Sequence, residues 1–233
     1  MSTIAANLQA VEATITAATE AAKRPRSGVQ LLAVSKTFPM EAVLEAIAAG
    51  QRAFGENYLQ EGVEKIAAVA RAQPDAHIEW HFIGPIQSNK TRPIATSFAW
   101  VHTVERLKIA QRLSEQRLPE MGPLNICLQV NISGEATKSG ATPVELPALA
   151  RQVASLPNLR LRGLMAIPEA QSDPALQRAA FSKLRALADS LRADGLDIDT
   201  LSMGMSGDME AAILEGATIV RVGSAIFGSR HYD

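Results

Sequence analysis

The amino-acid sequence predicts an α/β protein built as one closed (β/α)8 barrel of the TIM type, with an extra helix at its N-terminus. Three observations lead there. Eight short, nearly continuous apolar runs are spread along 233 residues, helical patterns separate them, and no linker or second core interrupts the series, so residues 1–233 read as one domain. Apolar runs without polar alternation indicate strands covered on both faces, as in a parallel sheet wrapped by helices. Eight such units in about 200 residues lie at the small end of the barrel range. An open doubly wound sheet is the alternative that the same pattern allows.

The elements follow in order. Ile4, Leu8, Val11, Ile15 and Ala18 recur at intervals of four and three, which predicts a first helix ended by Pro25 and Gly28. Leu31-Leu32-Ala33-Val34 opens the first strand. Strands are expected at 31–36, 53–57, 78–84, 100–104, 124–131, 159–167, 200–205 and 219–226. Helices are expected near 41–49, 58–72, 89–96, 105–117, 143–155, 174–193 and 208–216. In the sixth of these, Leu176, Ala180, Leu184, Leu187 and Leu191 share one face. Five residues follow Gly228, too few for an eighth outer helix, so the first helix is expected to cover that gap. Ile132 to Thr142, rich in Gly, Ser and Thr, reads as a surface loop and a candidate lid.

Composition narrows the function. Apolar residues make up 47%, enough for a large core and against disorder. The 23 basic residues balance 24 acidic ones, so there is no global field for nucleic acid or an anionic membrane. Cys127 is the sole cysteine, which excludes an internal disulfide framework and fits a reducing compartment. No apolar run approaches the ~18–20 residues of a bilayer span, and Met1 to Glu20 lacks a signal-peptide apolar segment. The expectation is a soluble, cytoplasmic monomer.

Barrel sites lie where strands run into loops, so the strand ends are the place to look for chemistry. Lys36 ends the first strand. If it turns inward, burial penalises its ammonium form and exposes a nucleophilic amine able to form a Schiff base with an aldehyde; a lysine emerging into solvent is the other reading. Ser206-Gly207-Asp208 precedes a helical segment, and Gly223-Ser224 ends the eighth strand. Backbone N–H groups and hydroxyls there suit a phosphate, although helix capping and chain turning explain the same residues. Asp208 opposes an anion unless its carboxylate faces away. Arg221 lies inside the apolar run 219–222 and needs an acceptor, either within the barrel or on a ligand, unless it points outward to a helix carboxylate. His77, His81, His102 and His231 form no metal-ligand pattern; His102 reads as isolated. No nucleotide fingerprint and no serine or cysteine hydrolase motif is present.

Six blocks then come in order: Ala-Val-Ser-Lys-Thr-Phe-Pro (33–39), Phe-Gly-Glu-Asn-Tyr-Leu-Gln-Glu (54–61), Trp-His-Phe-Ile-Gly-Pro-Ile-Gln-Ser-Asn-Lys (80–90), Gln-Val-Asn-Ile-Ser-Gly-Glu (129–135), Leu-Ser-Met-Gly-Met-Ser-Gly-Asp-Met-Glu-Ala-Ala (201–212) and Val-Arg-Val-Gly-Ser-Ala-Ile-Phe-Gly (220–228). Together they resemble the pyridoxal 5′-phosphate homeostasis proteins, the YggS/PROSC family, from about residue 30 onward. The resemblance implies the barrel of the alanine racemase N-terminal domain and a role in vitamin B6 homeostasis, as carrier or reservoir without established turnover, with apo pyridoxal-phosphate enzymes as recipients. It implies that Lys36 holds pyridoxal 5′-phosphate as an aldimine. Ser206, Gly223 and Ser224 would hold the phosphate with Met203 and Gly207 nearby, Arg221 would face the pyridine nitrogen, and Asn57 and His81 would line the ring side. An arginine at that nitrogen weakens the ring as an electron sink, and Tyr58 and Tyr232 are the sole tyrosines available as a second base. A pyridoxal-phosphate racemase or decarboxylase, a lysine aldolase acting on a phosphosugar and a pure interaction module are the competing functions. Lys138, in the 132–142 loop, is a further candidate for assisting cofactor entry or release.

Overall fold

A computed structural model describes residues 3–134 and 138–228; Glu135, which flanks the Lys138 loop, and His231 and Tyr232 lie outside them. Eight parallel strands close into a barrel in sequence order: β1 (Gln30–Val34), β2 (Ala53–Glu56), β3 (Glu79–Phe82), β4 (Trp100–Val104), β5 (Leu124–Gln129), β6 (Leu159–Met165), β7 (Thr200–Ser202) and β8 (Ile219–Val222). The last strand returns to the first, with Gln30 opposite Ile219 and Ala33 opposite Val222. That closure removes the open-sheet alternative.

The helices are α1 (Thr3–Ala21), α2 (Met40–Ala48), α3 (Leu59–Ala72), α4 (Thr91–Ser97), α5 (Leu107–Gln116), α6 (Leu146–Ala154), α7 (Pro174–Ala193), α8 (Met209–Leu214) and the short α9 (Ser224–Phe227). The expected eighth strand runs too far, because Ser224 to Phe227 turn into α9 after Gly223. The first helix buries Leu8, Val11, Ile15 and Ala18 and packs against α2, α8 and α9. Asn7 donates to the Ile226 carbonyl at 2.8 Å, and Arg24 donates to the carbonyls of Ile213 and Ala217 at 2.9 and 2.8 Å. Thus α1 seals the seam beside the last strand. Of the expected α7 stripe, Ala180, Leu184, Leu187 and Leu191 meet the core, joined there by Phe181 and Ala188, while Leu176 is 53% exposed.

Side chains two apart on a strand share a face, and this divides the core in two. Outside the sheet, Phe54, Phe82, Phe98, Ile126 and Phe181 pack with the helices. Inside it, Leu32, Val34, Ile83, Trp100, Cys127, Met165 and Ile219 fill the barrel. His81, His102 and Arg221 stand two residues from Ile83, Trp100 and Ile219, so they too face the interior, and all three are buried. Among the described residues, no helix is long and apolar enough to cross a membrane.

Candidate functional site

The site begins where β1 stops. Ser35-Lys36-Thr37 forms a turn held from below by α3. Lys65 is buried and donates from Nζ to the Ser35 carbonyl at 2.8 Å, Glu56 Oε1 at 2.7 Å and Glu61 Oε1 at 2.8 Å. Ser35 Oγ donates to the same Glu56 oxygen at 2.6 Å, and the Thr37 N–H donates to Glu61 Oε1 at 2.7 Å. Thr37 has φ 67°, a left-handed conformation that a β-branched residue adopts at a cost. Desolvation raises the Glu56 carboxyl above its ordinary pKa, opposed by the Lys65 charge. Sequence reasoning assigned no role to this cluster. Its signals were Glu56 at the end of an apolar strand and the Glu61–Lys65 pair one helical turn apart.

Lys36 follows directly. It is half-buried and lines a cavity of about 350 Å3 at the C-terminal mouth of the barrel. Of the other sequence-derived candidates, Asn57, Ser206, Gly207, Arg221, Gly223 and Ser224 line the same cavity, with Val34, Ile83, Ile167 and Met205 as its apolar part. Arg221 points inward: its Nη1 donates to Ser202 Oγ at 2.8 Å and its Nη2 to the Ala166 carbonyl at 3.0 Å. Its acceptors are thus a hydroxyl and a carbonyl, and among the described residues no helix carboxylate forms an ion pair with it. Burial pushes its pKa down to about 10, with Asp208 opposing.

The loops after β7 and β8 converge, bringing the Ser224 and Ser206 hydroxyls within 3.4 Å. Asp208 turns back on its own loop, where Oδ1 accepts the Met205 N–H at 2.6 Å, and its side chain does not cap α8. Gly84 fixes the opposite wall. A Cβ there would meet the Asn57 carbonyl oxygen at 1.9 Å, so only glycine lets the β3 end lie against the Asn57 backbone. Asn57 Oδ1 is buried without a hydrogen-bond partner. An occupant carrying a hydroxyl or N–H would satisfy it.

Two candidates lie elsewhere. His81 and Met203 are fully buried and are not on the cavity wall. His81 stacks on Trp100 with centroids 5.3 Å apart, inside the barrel. The expectation that His102 is isolated is corrected: its Nε2 lies 2.9 Å from His81 Nδ1, and its Nδ1 lies 2.7 Å from Ser202 Oγ. Histidines on neighbouring strands meet across the register, which linear spacing conceals. Lys138 is half-buried, and its carbonyl accepts from Asn131 Nδ2 at 3.2 Å. A second cavity of about 310 Å3 adjoins the first, sharing Asn57, Ile83 and Ile167 and adding Thr103, Glu105 and Gln129. Among the described residues, no group of three or more metal-ligating side chains occurs.

Residues 6–231 match the family described as alanine racemase, N-terminal domain. The chain is 63% identical over 232 residues to the pyridoxal phosphate homeostasis protein of Pseudomonas aeruginosa, covering 100% of this chain and 98% of that protein. It is 52% identical over 233 residues to the protein of the same name from Escherichia coli K12, covering 100% and 99%. Among solved structures, PipY of Synechococcus elongatus with pyridoxal phosphate bound superposes with a TM-score of 0.83 at 38% identity, covering 97% of this chain and all of that one. The alanine racemase of Corynebacterium glutamicum shares the fold, with a TM-score of 0.70 at 16% identity over 99% of this chain and 62% of that one. The barrel, its Lys36 mouth and these full-length matches agree, and the chain belongs to the pyridoxal phosphate homeostasis protein family, built on the alanine racemase N-terminal domain.

Proposed function

We propose that this chain, as one barrel domain, binds pyridoxal 5′-phosphate through a Schiff base at Lys36 and serves intracellular vitamin B6 homeostasis as a carrier or reservoir. The observation that carries the reading is that an amine (Lys36), a guanidinium (Arg221) and two hydroxyls (Ser206 and Ser224) line one cavity of about 350 Å3, within the range of small-ligand sites. In this assignment Ser206, Gly207, Gly223 and Ser224 take the phosphate, Arg221 faces the ring nitrogen and Asn57 offers its unpartnered oxygen to a ring substituent. His81 lies deeper in the barrel and Met203 packs on its outer side, so neither touches the ligand in this assignment. Lys65 is the competing buried amine, but its three N–H bonds already go to Ser35, Glu56 and Glu61.

The cavity favours holding over turnover. The cofactor supplies an aldehyde and an electron-accepting ring; a donor arginine at the ring nitrogen disfavours protonation of that nitrogen. Two-base racemisation also needs a second proton-transfer group. Among the described residues lining the cavity, Lys36 and Arg221 are the ionisable side chains, and Tyr58 is 52% exposed away from that wall. Apo pyridoxal-phosphate enzymes are the natural recipients of a cofactor stored in this way.

The test is borohydride reduction of the cofactor-loaded protein followed by peptide mass spectrometry. The expected result is one pyridoxyl group on Lys36, and none on a Lys36→Ala variant. Labelling of another lysine to the same extent, or a visible imine band in Lys36→Ala, would refute the assignment. Enzymatic rates of α-hydrogen exchange in amino acids would refute the non-catalytic part alone.

A further inference from the structure

Four strands contribute five side chains that run in single file through the barrel. Arg221 on β8 donates from Nη1 to Ser202 Oγ on β7 at 2.8 Å. Ser202 Oγ lies 2.7 Å from His102 Nδ1 on β4, His102 Nε2 lies 2.9 Å from His81 Nδ1 on β3, and His81 Nε2 lies 2.8 Å from Glu79 Oε1 at the start of the same strand. Arg221, Ser202, His102 and His81 are buried. The file starts at the cavity wall and ends near the opposite barrel face, where Gln30 Nε2 also donates to Glu79 Oε1 at 2.9 Å.

The two ends determine the direction of every bond. A carboxylate accepts and cannot donate, so His81 presents Nε2–H to Glu79. A neutral His81 then has an acceptor at Nδ1, which requires His102 to present Nε2–H. A neutral His102 likewise has an acceptor at Nδ1, so the Ser202 hydroxyl donates there. The Ser202 oxygen is left to accept from Arg221, which can only donate. Any reversed link would set two hydrogens or two lone pairs against each other. Burial holds both imidazoles below their ordinary pKa, and the His81 hydrogen bond holds Glu79 down to about 2, which keeps the end groups in these roles.

We propose that Glu79, His81, His102 and Ser202 form a one-way hydrogen-bond relay that positions Arg221 at the cavity from the far side of the barrel. None of the four lines the cavity, so they are positioning residues. Two anchors, Ser202 and the Ala166 carbonyl, fix the plane of the guanidinium. The relay is made by the chain's own residues; its effect on affinity rests on the pyridoxal phosphate reading above.

Nitrogen-15 NMR of the ligand-free protein tests the relay without any ligand. Wild type is expected to show both imidazoles neutral with hydrogen on Nε2. Ser202→Ala should shift the His102 Nδ1 and Arg221 side-chain signals, and Ser202→Thr should restore them. Glu79→Gln, at the remote end, should also move the Arg221 signals, and it serves if Ser202→Ala folds poorly. Loss of the Ser202 link is expected to weaken pyridoxal phosphate binding about ten-fold. A hydrogen on Nδ1 of either histidine, or Arg221 signals unmoved in both variants, would overturn the relay. Wild type that binds no pyridoxal phosphate but shows the expected tautomers and shifts would instead overturn the function and leave the relay standing.

Discussion

Replacing Lys65 by methionine should be among the most damaging single changes available outside the cavity. Methionine keeps most of the apolar stem, so the loss comes from polar atoms. The Glu56 carboxyl, fully buried, loses its counter-charge, and the Ser35 carbonyl and Glu61 lose their shared donor. Removing one partner of a buried ion pair costs about 3–5 kcal/mol. At ~2–4 °C per kcal/mol for a chain of this length, the thermal midpoint should fall by roughly 6–20 °C. The pH dependence identifies the cause. The Glu56 pKa is already raised by burial, and without Lys65 it rises further. An acid with a raised folded-state pKa binds more protons in the folded state, so its penalty is complete at high pH and relieved as pH falls. Denaturation followed by circular dichroism at pH 8 and pH 5.5 should therefore show the larger deficit at pH 8. Adding Glu56→Gln should recover more than half of it. A Lys65→Met variant within about 1 kcal/mol of wild type, or a deficit indifferent to both pH and Glu56→Gln, would refute the reasoning.

Other expectations concern the core. Because burial depresses the pKa of His81 and His102, the unfolded chain binds the extra protons. Stability should fall as pH drops below the ordinary histidine value of ~6.5, by up to about 1.4 kcal/mol per pH unit for each histidine, as acid titration of urea midpoints can measure. Glu79, down to about 2 against a usual 4.5, adds a further loss between those two values; a flat profile from pH 7 to about 4.5 would count against the histidines, and a flat one from there to about 2 against Glu79. The Cys127 thiol, pushed up to about 12 by burial, should ignore a thiol reagent in the folded protein and react on unfolding. Gly84→Ala should cost about 3 kcal/mol or more, because the clashing atom is backbone, whereas Gly207→Ala, with open space around its Cβ position, should be nearly neutral in stability; equal midpoints for the two would contradict the packing of Gly84 against Asn57.

Much of the barrel was legible because its signals are local. Every expected strand is present, and the 100–104 and 174–193 bounds match β4 and α7. The misjudged ends share a cause. The runs at 31–36, 200–205 and 219–226 continue past the strand ends at Val34, Ser202 and Val222 without a proline to mark them. On α7 the stripe was right from Ala180 to Leu191 but ran one turn too far to Leu176, and it omitted Phe181 and Ala188, which are buried beside Leu184 and Leu191. The lysine, the arginine and the serine–glycine loops could be named from strand ends alone. The Glu56–Lys65–Glu61 support left only weak local signals, because it depends on how α3 folds back on the end of β2, and the His81–His102 link left none, because it depends on which strand stands beside which. Met203 was misjudged by proximity: it adjoins Gly204 and Ser206 in sequence but faces away from the cavity.

The seam closed by α1 has a consequence for how the molecule is made. On a ribosome α1 emerges well before α8 and α9, so the part of its apolar face that they cover stays open until they follow. Pairing of β1 with β8 waits equally long. Such long-range closure slows folding and lengthens exposure to aggregation. A circular permutant that opens a surface loop elsewhere and joins the two ends should make this seam early and reach the same ring faster.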